Sequence, residues 1–358
     1  MSKASIKNLV GIEIDEDYPW KDTLFINSGV ATVEQSDYEK CRATISIKKC
    51  NQIDTNDCRD IGNNIFIGSN AFVDIKYGVR LERKESHRIT LKVTQECNEW
   101  LIISLQLLLL EMNCTLIHAA ALEKNGEVIL LPSWGGVGKT ATVMNMVCED
   151  GWLLLGDDLV ILQANEILPF LKPFVIYPYH KTLFPEIFIE NKWRIVTNIK
   201  LNNFMSKIIP IAKKVMRPIP GLLAFSRKHN PQSMRISPMQ IFRKEQLSVG
   251  GMLNKVIWLE RITANQIGFG EKSAEALASK TTSVSMVELF ADRLNCVFAL
   301  CGSGIFDYRK IYLKMYELIY AAYKNTACFE LDIPTSISID RIGNVISKHI
   351  VSEKEIKM

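Results

Sequence analysis

No two of the nine cysteines in this 358-residue sequence stand in a Cys-x-x-Cys spacing. They are Cys41, Cys50, Cys58, Cys97, Cys114, Cys148, Cys296, Cys301 and Cys328, an odd number, with several inside apolar runs. That pattern excludes a disulfide framework and a zinc ribbon, and points to free thiols in a reducing cytoplasm. Cys41, Cys50 and Cys58 have no matching histidine cluster, so a metal site there is excluded as well. Long apolar runs are also lacking. The most apolar one, Trp100 to Leu110, is about half a membrane span and contains Ser104 and Gln106, which fits a buried helix. The opening Met1-Ser-Lys-Ala-Ser-Ile-Lys7 is too polar for a signal peptide. A cytoplasmic protein with no membrane partner is the expectation. Internal repeats and low-complexity tracts are absent too.

Acid is missing from one long stretch. Residues 191–250 carry twelve Lys and Arg against Glu245 alone, while the whole chain has a net charge of only +4. The rest of the chain is therefore acidic. A field this concentrated favours an acidic or phosphorylated partner, whether peptide, protein or small molecule; a solvated basic face is the alternative. Aromatics are sparse there (Trp193, Phe204, Phe225, Phe242), which disfavours stacked single-stranded nucleic acid. Five prolines between Pro210 and Pro238 divide the stretch into short pieces.

What is present centres on Leu131-Pro-Ser-Trp-Gly-Gly-Val-Gly-Lys-Thr140. An apolar run, Glu127 to Pro132, precedes it and predicts a buried strand. Thr140 to Cys148 follows and predicts a helix closed by Gly151. A strand, a glycine-rich turn, Lys-Thr and a helix make a phosphate cradle of the Walker A kind. The cofactor-binding loop starts at Ser133, and backbone N–H groups from Trp134, Gly135, Gly136, Val137, Gly138 and Lys139 would face the phosphates. Lys139 would reach the outer ones, and the Thr140 hydroxyl would hold Mg²⁺. The pattern departs from G-x-x-x-x-G-K-[ST] at its first position, where Ser133 stands, and Gly135 and Gly136 are expected to supply the missing backbone freedom.

Leu153 to Leu162 reads as an apolar strand interrupted by Asp157 and Asp158. Two carboxylates in a buried strand require a cation opposite them, and Mg²⁺ on a nucleotide supplies one. A Gly-Asp-Asp turn between two hairpin strands is the alternative. His118, in Thr115 to Leu122, falls on a predicted strand that a tight Lys124-Asn-Gly126 turn joins to the phosphate-loop strand. A lone histidine in such a strand is commonly a satisfied core residue.

Together, His118-Ala-Ala-Ala-Leu, the phosphate loop, and Gly151-Trp-Leu-Leu-Leu-Gly-Asp-Asp-Leu-Val160 resemble HPr kinase/phosphorylase and its relatives, which include lasso-peptide precursor kinases. The close match covers residues 116–163, and a weaker echo runs through Val256 to Arg261 and Cys328 to Asp332. The resemblance implies an α/β, phosphoenolpyruvate-carboxykinase-like nucleotide-binding core, ATP and Mg²⁺ as cofactors, and phosphoryl transfer to a hydroxyl. It implies that Asp158 joins Thr140 on the metal, that Asp157 accepts the acceptor's proton, and that His118 contacts the transferring group or orients a water. An arginine of the basic stretch would neutralise the moving phosphoryl, with Arg235 the first choice and Arg217 behind it. The family's Pro-Gly-Arg-Asn segment has no counterpart here, so HPr itself is not the expected acceptor.

The expected organisation is a β-rich region over residues 1–92, a kinase core over 93–335 with the basic insertion 191–250, and a C-terminal tail over 336–358. Within the first region, strands are expected at Thr23 to Asn27, Ala43 to Lys48, Asn64 to Ile67 and Ala71 to Tyr77, with a hairpin over 79–93 whose turn holds an exposed, inert His87. Helices are expected over 94–112, 285–300 and 306–325. The function expected is a kinase acting on a peptide, a protein serine or a small hydroxylated molecule. A nucleotide-sensing regulator without transfer and a nucleic-acid-linked NTPase are the alternatives, and a homo-oligomer is compatible with all three.

Overall fold

The fold comes from a computed structural model that describes residues 2–22, 24, 31–32, 38–177, 180–181, 183–185, 234–290, 293–302 and 304–356. It divides into two compact units, Met1–Pro173 with Ser237–Met358, and Phe174–Ile236. Most of the expected Thr23–Asn27 strand lies outside the described residues. So do nine of the twelve basic residues of the 191–250 stretch, Arg217 among them.

The chain is mixed α/β. Its first nine strands are β1 (Ser2–Ile6), β2 (Val10–Ile14), β3 (Ala31–Thr32), β4 (Ala43–Lys49), β5 (Arg59–Gly62), β6 (Ile65–Ile67), β7 (Ala71–Asp74), β8 (Val79–Glu85) and β9 (Arg88–Val93). They form one nine-stranded sheet in the order β3-β1-β2-β4-β9-β8-β7-β6-β5. The expected hairpin is the β8–β9 pair. His87 sits in its turn at φ +61° and faces Glu111 at 3.5 Å, so it is not without a partner.

Helix α1 (Asn98–Glu111) is buried at every position from Trp100 to Leu110. A helix apolar all round belongs inside a core. It packs against β2, β4 and β9 on one side and against β10 (Cys114–Lys124) on the other. Its buried amide, Gln106, is satisfied by that second sheet: it accepts from Leu116 N at 2.8 Å and donates to Thr115 Oγ1 at 2.9 Å.

The second sheet adds β11 (Glu127–Pro132), β12 (Leu153–Gly156), β13 (Leu159–Gln163), β14 (Glu166–Leu168), β17 (Gly251–Ile262), β18 (Gly268–Glu271) and β19 (Ala327–Pro334). Because β11 pairs with both β10 and β17, strands β10, β13, β14, β17 and β11 close into a ring, from which β19 and β18 extend. Helix α2 (Lys139–Cys148) follows β11. Asn125 and Gly126 take positive φ in the β10–β11 turn, as a two-residue hairpin requires.

The C-terminal helices differ from expectation. Instead of one helix over 285–300 there are two, α3 (Ala274–Phe290) and α4 (Leu294–Gly302), before α5 (Tyr308–Tyr323). Thr281, Thr282 and Ser285 in α3 read as weak helix formers, but all three are fully buried, and Thr282 Oγ1 returns a 2.8 Å bond to Ala278 O. The segment 336–358 is not a simple tail. It holds α6 (Ile339–Ile356), which buries Ile342, Ile346 and Ile350 at four-residue spacing and packs on α2.

The second unit contains β15 (Phe174–Ile176) paired with β16 (Met234–Ile236), with Val175 opposite Arg235, and a tilted Phe174–Phe184 ring pair 6.1 Å apart. Among the described residues, no helix is long and apolar enough to cross a membrane.

Candidate phosphate-binding site

Strand register brings the sequence motifs together. Along β10, His118 pairs with Leu159, Ala119 with Pro132, and Ala121 with Gly156. The end of β11, the end of β12 and the start of β13 therefore all arrive within four residues of one another on β10. The phosphate loop leaves from Pro132, and Asp157-Asp158 fill the gap between β12 and β13. Both of those strands pair with β10, so the acid pair interrupts one strand line and does not form a hairpin turn. Gly156 permits the irregularity: a Cβ there would lie 2.4 Å from Leu159 O.

In the loop, Gly136 (φ +76°) and Gly138 (φ +118°) occupy left-handed conformations. Gly135 does not, so the freedom expected of it is supplied by Gly138. A Cβ on Gly138 would also stand 2.2 Å from Ile342 Cγ2 of α6. Val137 is buried, and Trp134 is 41% exposed.

Lys139 opens α2 and is buried. Its Nζ lies 3.0 Å from Ser133 O, 3.0 Å from Ser133 Oγ, 3.1 Å from Trp134 O and 3.1 Å from His118 Nε2. Ser133, at the position where the motif has glycine, thus supplies two acceptors. No carboxylate stands among these partners, and burial lowers the Lys139 pKa against the opposing pull of Asp158, Asp157 and Glu288.

The next residue, Thr140, donates its hydroxyl to Asp157 Oδ2 at 2.8 Å. The resemblance set Asp158 beside Thr140, but Asp157 stands there. Their contacts place Asp157 against α2 and Asp158 against His118 of β10. Asp157 Oδ1 is buried with no hydrogen-bond partner. Burial and the neighbouring Asp158 push its carboxyl up to about 7, although the Thr140 bond opposes this.

Asp158 contacts His118 Nδ1 at 3.3 Å through Oδ1 and Lys172 Nζ at 2.5 Å through Oδ2. Burial would raise its pKa, but the charge and hydrogen bond of Lys172, together with His118 and Lys139, outweigh that and hold the carboxyl well below the usual range. His118 is buried, and its pKa falls to about 4 through desolvation and the Lys139 charge, so its ring is neutral near pH 7. Its backbone N–H donates to Ser285 Oγ of α3 at 2.9 Å.

The donor set can be tested against Mg²⁺. No group of three or more His, Cys, Asp or Glu able to hold a metal occurs among the described residues. Mg²⁺ bound with a nucleotide needs few protein oxygens, since phosphates and waters complete its shell. Thr140 Oγ1 and the orphaned Asp157 Oδ1 fit that requirement.

Arg235 belongs to the second unit, on β16, with an exposed side chain. Lys172 and Ser285 were not anticipated. Lys172 lies in Phe-Leu-Lys-Pro173, which matches no motif, and the 3.1 Å bond from Phe170 N to Leu155 O anchors its segment to β12. Ser285 carried no signal beyond helix composition. No family model matches the chain, and no curated protein gives a significant match.

Proposed function

We propose that this protein is a Mg²⁺- and ATP-dependent kinase that transfers the γ-phosphoryl group to a hydroxyl of a peptide, a protein serine or a small molecule, on a phosphoenolpyruvate-carboxykinase-like core. The observation that carries this reading is the buried, unpartnered Oδ1 of Asp157. Its other oxygen is held by Thr140 at the start of α2, beside a lysine without a carboxylate partner. A buried carboxylate oxygen with nothing opposite is costly, and a cation brought in with a nucleotide removes that cost.

Mg²⁺ held by Thr140 and Asp157 would neutralise charge on the phosphate oxygens. Phosphoryl transfer depends mainly on positioning and charge. Lys139 exchanges its loop carbonyls for the β- and γ-phosphates, alongside the backbone N–H groups of residues 134–139. Asp158 takes the acceptor proton as the acceptor oxygen bonds phosphorus and the bond to the leaving ADP breaks. This exchanges the roles that the resemblance gives to the two aspartates. His118 orients Asp158 and faces the phosphoryl. The positive charge of the basic stretch 191–250 would favour an acidic or phosphorylated acceptor. Incubation with γ-labelled ATP, Mg²⁺ and candidate acceptors should label an acceptor with wild-type protein and not with Asp157→Asn. Equal labelling by both would reject the reading.

A further inference from the structure

His118 is held at both ring nitrogens, and Asp158 at both carboxylate oxygens. Lys139 Nζ reaches His118 Nε2 at 3.1 Å, His118 Nδ1 reaches Asp158 Oδ1 at 3.3 Å, and Lys172 Nζ reaches Asp158 Oδ2 at 2.5 Å. An ammonium group donates and cannot accept. Nε2 must therefore be the bare nitrogen, and the ring proton sits on Nδ1, from which it donates to Asp158. The four side chains form one line, with donation running inward from a lysine at each end.

Exposure changes along that line. The His118 side chain is 6% exposed, Asp158 34% and Lys172 30%. The closed end belongs to the phosphate loop, and the open end is where an acceptor can enter. Lys172 reaches that end from an anchored backbone: Phe170 before it is buried and bonded to Leu155, and Pro173 after it fixes its own φ.

We propose that Lys172 is a positioning residue for the transfer. It fixes Asp158, and through Asp158 the Nδ1–H form of His118, in the arrangement that an acceptor hydroxyl meets. This rests on the kinase reading of the same site but has a readout in the free protein. A lysine that merely decorated the surface would leave His118 unchanged when removed.

The chain has five histidines, so nitrogen-15 NMR of the imidazoles is tractable, with His118→Gln assigning the signal. In nucleotide-free wild type, His118 should show a protected Nδ1–H and a bare Nε2. Lys172→Met should broaden or lose the Nδ1–H signal, and Lys172→Arg should retain it. With Mg·ATP and water as acceptor, Lys172→Met should lower kcat by about 10²-fold, the typical cost of a misplaced group. Nucleotide affinity should hold, and Lys172→Arg should recover most of the rate. A wild-type proton on Nε2, or a Lys172→Met variant with unaltered His118 signals and kcat, overturns the proposal. Wild type that shows the expected NMR signals but neither binds nor hydrolyses Mg·ATP overturns the kinase reading and the transfer role with it.

Discussion

The two sheets each enclose a charged cluster, and the clusters are built to different ends. In the nine-stranded sheet, Arg80 is buried between Glu82 (2.6 Å) and Asp57 (2.7 and 2.8 Å), with Asp54 O at 2.7 Å. Lys92 donates to the same Glu82 Oε1 at 2.8 Å. Each charge there meets its opposite. Around β10, by contrast, Lys139 is solvated by neutral acceptors, the His118 ring is uncharged, and one oxygen of Asp157 has no partner. A closed network specifies structure. An open one, in a phosphate-loop setting, leaves bonding capacity for something that arrives later.

The largest effect that sharpens this contrast is expected from Lys139→Ala. Removing the proposed phosphate donor should slow transfer by about 10²–10³-fold or more and remove the stabilisation given by Mg·ATP, while the metal-free melting temperature changes little. The mirror experiment is Arg80→Met. Opening a closed, mostly buried ion pair should cost about 3 kcal/mol in denaturant unfolding, with Mg·ATP affinity unchanged. If Arg80→Met weakened nucleotide binding instead, the division between structural and functional clusters would fail.

The next effect is smaller and depends on pH. Asp157 holds its proton up to about 7 in the folded protein against an ordinary 3.8, so the folded state keeps a proton that the unfolded chain has released, and stability from this group falls as pH rises across that window. His118 works the other way. Its pKa of about 4 lies below the ordinary 6.5, so its contribution is lost as pH falls. Between about 4 and 6.5 the two slopes oppose each other. Melting temperatures of metal-free protein should therefore be rather flat in wild type, should rise with pH in Asp157→Asn, and should fall with pH in His118→Gln. The smallest effect is expected from Trp134→Phe. Its side chain is exposed at the start of the phosphate loop, so the variant should lose the fluorescence change on nucleotide addition and keep nearly all activity.

The parts of this candidate site were more legible in the sequence than the fold around it. Strand-loop-helix, His118 and the acid pair could be read because glycine, lysine and carboxylate in a buried apolar setting each carry a specific cost or geometry. Lys172 could not be read, because its role comes from a segment folding back onto β12, and nothing local announces that. The order of the two aspartates was equally hidden, since it depends on how the strand line breaks at Gly156. Among the helices, α6 was missed although Ile342, Ile346 and Ile350 have helical spacing; the charge of its final turns suggested a solvated tail. The first half of α3 was missed although Ala274-Glu-Ala-Leu-Ala-Ser-Lys280 is rich in helix formers; Thr281 and Thr282 after it are weak ones whose place in the helix comes with burial.

The most direct test of the central claim is calorimetric titration of ATP into wild-type protein and Asp157→Asn, each with and without Mg²⁺. The open cluster predicts saturable binding to wild type that is strongly enhanced by Mg²⁺, and an enhancement that largely disappears in Asp157→Asn. Binding that is absent in wild type, or that depends on Mg²⁺ equally in both proteins, would contradict it.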